Sequence, residues 1–141
     1  MGVIVTGTKA NKIGQNVLMK AISYMVQLNK VASELAVELG ANAMTDITGF
    51  GLAVHTWWMA RSSKVGVSYR FTSLPYFEES MWLIQQGVCT SVTMSNAEIV
   101  KGHLIFPDGF LTPDKQMLFY DPQTSGGLLI SIPGEKASVL W

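Results

Sequence analysis

A single cysteine, Cys89, stands among the 141 residues of this sequence. It excludes an internal disulfide framework and any multi-thiolate zinc site, and a reduced, cytoplasmic setting is the plainest reading. Charge is scarce as well. Asp, Glu, Lys and Arg make up 14% of the chain, where soluble domains carry about 25%. Ten basic side chains balance ten acidic ones, so neither a nucleic-acid surface nor an electrostatic membrane anchor is expected. Long apolar runs are also missing. The best stretch, residues 47–60, contains Gly49, Gly51 and His55, and falls short of the ~18–20 apolar residues of a spanning helix. No basic segment leads into an apolar run at the start, so no signal peptide is visible.

What is present is apolar: 48% of the residues, with a mean hydropathy of +0.27. The length suits one domain, residues 1–141, with a real core. Low charge on such a chain points to a domain that covers part of its surface with something else: a further domain, a second copy or, against the short apolar runs, a membrane.

Hydrophobic spacing organises the chain. Residues 2–6 read as a short buried strand. Val17, Leu18, Ala21, Met25, Leu28, Ala32, Leu35 and Leu39 recur mostly at three and four, which predicts one long helix or two shorter ones divided at Asn29. Gly40 terminates it. A strand over 43–47, a glycine turn and a helix over about 52–62 follow. Residues 65–72 alternate as a half-buried strand does. Residues 76–86 read as a helix ending at Gly87, 88–114 as irregular, 117–120 as a strand, 121–127 as a turn and 128–132 as a strand. A helical segment begins near Pro133. The irregular alternation favours an α+β fold with layered helices and a mixed sheet, in which residues 3–5 and 128–132 share one sheet.

Two segments carry chemistry. In Thr45-Asp46-Ile47-Thr48-Gly49-Phe50-Gly51 a carboxylate ends a strand and faces a glycine turn and a helix start. That suits a ligand to magnesium, which takes one or two carboxylates and fills its shell with water and phosphate oxygens. It equally suits a helix cap or Asx-turn, the plainer reading on chemistry alone. Val54 stands where the dinucleotide fingerprint needs its third glycine, so no Rossmann reading follows. In Asp121-Pro122-Gln123-Thr124-Ser125-Gly126-Gly127 two glycines let the backbone approach a neighbour closely, and a structural turn is the default. Ser125 lacks an elbow motif and a base. His55 reads as half-buried with one satisfied nitrogen, Cys89 as a small core residue, and Trp57 and Trp58 as one core-facing and one outward-facing indole.

Together these segments, 45–52 with His55 and 121–129, resemble the signature of selenophosphate synthetases (selenide, water dikinases), within the aminoimidazole ribonucleotide synthetase-related superfamily. Met25 with Leu28-Asn29, Leu74-Pro75 and Thr93-x-x-Asn96 extend the similarity over about 7–140. Val54, Val92 and Trp57-Trp58 depart from the family pattern. The resemblance covers only a C-terminal domain, truncated near its C-terminus. By that resemblance the N-terminal ATP-binding domain, with its reactive Cys or selenocysteine, lysine, glycine-rich segment and most metal-binding aspartates, is expected to lie outside these residues. It implies that Asp46 joins those aspartates at magnesium and the ATP phosphates, and that no catalytic residue lies in this chain. It further implies an intact enzyme, a homodimer, that makes selenophosphate from selenide, ATP and water with release of AMP and phosphate. The isolated chain would be inactive. The rivals are another ATP-dependent enzyme of the superfamily and a non-catalytic binding or assembly module.

Overall fold

Residues 1–139 are described by the computed structural model, and within them helices dominate. In chain order they are α1 (Gly2–Lys9), α2 (Gln15–Met25), α3 (Lys30–Glu38), β1 (Ala43–Asp46), α4 (Gly51–Ser63), α5 (Glu78–Gln85), α6 (Thr93–Ile99), α7 (Pro113–Tyr120) and β2 (Leu128–Ser131). Short 3₁₀ turns occupy Phe71–Ser73 and Gly134–Val139. The second of these matches the helical segment expected after Pro133; its expected end at 140–141 lies outside the described residues.

The α+β reading holds, but the strands form an antiparallel pair and not a mixed sheet. Ala43 lies opposite Ser131 and Asp46 opposite Leu128. Neither strand contributes to a core cluster. One cluster joins Val3 and Ile4 of α1 to Ala21 of α2 and to Leu83 and Ile84 of α5. The other joins Ala53 and Val54 of α4 to Phe71, Val100 and Phe119. Helix α7 lies between them, with Met117 packed on the first and Phe119 buried in the second. Rings of Tyr69, Phe71 and Phe106 surround Phe119 at 5.0–6.2 Å.

Several expectations are corrected. Residues 2–6 are helical, so they do not join the 128–132 strand in a sheet. Their β-branched run favours a strand, but Val3, Ile4, Gly7 and Thr8 are buried on one helical face. The first N–H groups of α1 also find acceptors in the distant 121 turn. Gly2 donates to the Pro122 carbonyl at 2.8 Å and Val3 to Asp121 Oδ1 at 2.9 Å. Residues 65–70 form no strand. Among the described residues no strand pairs with them, Val65 and Val67 are exposed, and Tyr69 and Phe71 reach the core. Residues 117–120 are the end of α7, whose start carries Thr112 at the cap, Pro113 in the first turn and Asp114 near the positive helix end. The irregular stretch 88–114 contains α6. Cys89 is exposed and not a core residue. The long apolar stripe is two helices, as one of the two alternatives had it, separated at Asn29.

Candidate functional site

The turn between β1 and α4 is where the two sequence segments meet. β1 pairs with β2, and the contacts continue past the strand ends. Ile47 N–H donates to Gly127 O and Gly126 N–H returns a bond to Ile47 O, both at 3.0 Å. Gln123 N–H then donates to Thr48 O at 3.0 Å. The glycines serve this close approach. A Cβ on Gly126 would collide with the Ile47 carbonyl oxygen. Gly51 has φ +70°, the region that side chains disfavour, and a Cβ there would lie 3.0 Å from the carbonyl oxygens of Phe119 and Asp121.

Two amides, Asn96 buried and Asn29 half-buried, brace the junction. Asn96 of α6, 2% exposed, donates from Nδ2 to Gly49 O and to Tyr120 O, each at 2.9 Å. Asn29, at the cap position of α3, donates not to its own helix but to Gly126 O at 2.9 Å. The buried Asp121 supplies the acceptor for α1 described above. Spacing along the chain gives no signal for these roles. Each is a single polar residue whose partner lies dozens of positions away.

Asp46 ends β1 with its side chain exposed. Among the described residues its carboxylate enters no hydrogen bond or ion pair, so the capping alternative is not what the geometry holds. The α4 terminus has no side-chain cap. His55, one turn into α4 and 8% exposed, faces back to the turn. Thr48 N–H donates to its Nε2 at 3.1 Å, and Thr48 Oγ1 lies 3.2 Å from the same nitrogen. Burial lowers the His55 pKa from its ordinary value, and the negative charge of Asp46 opposes that shift. Beside it, Phe50 and Trp58 pack edge to face at 4.8 Å and remain partly exposed. Trp57 turns inward against the second core and stacks on His103 at 4.9 Å, dividing the two indoles as the sequence suggests.

A magnesium ion needs about six oxygen ligands and often takes only one or two from carboxylates. No group of three or more His, Cys, Asp or Glu converges among the described residues. The exposed carboxylate of Asp46 can offer a cation one such oxygen ligand. Ser125, with φ +45°, helps shape the turn. No helix among the described residues is long and apolar enough to cross a membrane.

Fold and junction together define an α+β domain organised around one strand–turn–helix corner, with an open carboxylate at that corner. Residues 3–140 match the C-terminal domain of AIR synthase related proteins, and the chain belongs to that family. It is 40% identical to a selenide, water dikinase of Caldanaerobacter subterraneus subsp. tengcongensis over its full length. It is 36% identical to that of Clostridioides difficile and 33% to that of Rhizobium meliloti, each over 99% of the chain. In each case it spans about 40% of the length of the relative.

Proposed function

We propose that this chain is the C-terminal domain of a selenide, water dikinase, and that Asp46 is its ligand to a magnesium ion at the ATP phosphates. The observation that carries the reading is the unpartnered carboxylate of Asp46 at the end of β1, on a turn tied to both glycine segments. The remaining ligands come from an N-terminal domain and from the phosphates. Magnesium, when bound, neutralises phosphate charge as the nucleotide is cleaved. The chain's own contribution is to hold one carboxylate in place: the pairing with β2 and the ties at Ile47 and Thr48 leave the backbone of Asp46 little freedom. The exposed carboxylate of Asp46, the exposed rings of Phe50 and Trp58 beside it and apolar exposure elsewhere support a further domain as neighbour. Val26, Leu28 and Val31, on and just before α3, are 71%, 85% and 75% exposed. The intact enzyme, in this reading, is a cytoplasmic homodimer that makes selenophosphate from selenide, ATP and water.

The test uses the full-length protein. Asp46→Asn keeps the shape and removes the charge, so selenide-dependent AMP formation should fall at least tenfold with the circular dichroism unchanged. The chain by itself should show no turnover. Full activity of Asp46→Asn, or turnover by residues 1–141 alone, would sink the proposal.

A further inference from the structure

Among the described residues no donor reaches the Asp46 carboxylate, so its aim is set by the backbone on either side of it. Before it lies the β1–β2 pairing, with Asp46 opposite Leu128. After it, the N–H of the Asp46–Ile47 peptide donates to Gly127 O at 3.0 Å, and the next unit, joining Ile47 to Thr48, is held at both ends. Its oxygen accepts from Gly126 N–H at 3.0 Å, and its N–H donates to His55 Nε2 at 3.1 Å. A peptide plane held at one end can swing about the flanking bonds; held at both, it is fixed.

We infer that His55 is a positioning residue for Asp46, acting as a neutral hydrogen-bond acceptor that locks the Ile47–Thr48 peptide plane. The inference rests on the reading of Asp46 as a cation ligand. His55 itself is anchored by its place on α4 and by edge contacts with Phe50 and Trp58 at 6.1 and 5.8 Å. A ring nitrogen that accepts an N–H carries no proton, so the geometry requires the Nδ1–H tautomer. A neutral ring also leaves the charge of Asp46 free for a cation. The burial that depresses the His55 pKa acts in the same direction.

The experiment uses the full-length protein with Mn²⁺ as the probe, its affinity read by electron paramagnetic resonance. His55→Leu keeps apolar bulk and removes the acceptor; His55→Gln brings an amide oxygen to the position of Nε2. Partners that orient metal ligands are commonly worth about 10–100-fold in affinity, and one acting through the backbone belongs at the lower end. The expected result is roughly tenfold weaker Mn²⁺ binding in His55→Leu, recovery to within about threefold in His55→Gln, and loss of the site in Asp46→Asn. In the unmodified protein, long-range ¹H–¹⁵N spectra should show His55 protonated at Nδ1, which decides the matter even if His55→Leu does not fold. Protonation at Nε2 would overturn the inference. So would equal weakening by Leu and Gln, or unchanged affinity in His55→Leu while Asp46→Asn loses it. Unaltered Mn²⁺ binding in Asp46→Asn would instead overturn the premise about Asp46.

Discussion

Gly49 and Gly51 stand two residues apart in one turn, yet alanine should affect them very differently. At Gly51 the backbone has φ +70°, and an added Cβ would sit 3.0 Å from backbone atoms of Phe119, Tyr120 and Asp121. The left-handed conformation costs a side chain about 1–2 kcal/mol. Displacing the end of α7 and the 121 turn, whose atoms are backbone and cannot rotate aside, adds about 1–3 kcal/mol. Gly51→Ala should therefore destabilise the domain by about 2–5 kcal/mol. At Gly49 a Cβ meets nothing within 4 Å and φ is not left-handed, so alanine there should be neutral or stabilise by up to ~1 kcal/mol by restricting the unfolded chain. At roughly 2–4 °C per kcal/mol for a domain of this size, the two melting temperatures should differ by on the order of 10 °C. Thermal and urea unfolding followed by circular dichroism measure both variants. Equal stability of the two, or Gly51→Ala within ~0.5 kcal/mol of the parent, would refute the packing of the glycine turn against α7.

Asn96→Ala removes the bonds that this buried amide donates to the Gly49 and Tyr120 carbonyls and should cost about 1–3 kcal/mol in urea unfolding. Asn96→Asp, although isosteric, should be no better at neutral pH, because it sets acceptor against acceptor. Burial pushes the Tyr69 phenol up to about 12, outweighing the opposing effect of the nearby Thr56 hydroxyl. A folded pKa above the unfolded value of about 10 means stability that is full below pH 10 and lost as pH rises toward 12. Ultraviolet titration of the phenols should show one late group that Tyr69→Phe removes, and the alkaline loss of stability should flatten with it. Asp46→Asn should leave the melting temperature within about 2 °C, since among the described residues the carboxylate makes no hydrogen bond or ion pair.

Local chemistry determined a good deal of this protein. The break at Asn29, the strand–turn–helix from Ala43 to Ser63, the helix closed by Gly87 and the final strand all follow from apolar period and punctuation, which act within a few residues. Asp46 at a strand end was legible for the same reason. The tertiary structure decided the rest. Val3-Ile4-Val5 has the composition of a strand but becomes helical because a face of it is buried against Ala21 and Leu83, and because residues 121–122, far along the chain, accept its first N–H groups. Residues 65–70 alternate correctly for a strand, but a strand exists only where another is free to pair with it. His55, Asn96 and Asn29 take their roles from acceptors and donors brought close by folding. Periodicity reports which side of an element is apolar; it carries no record of which polar atom lies across the gap.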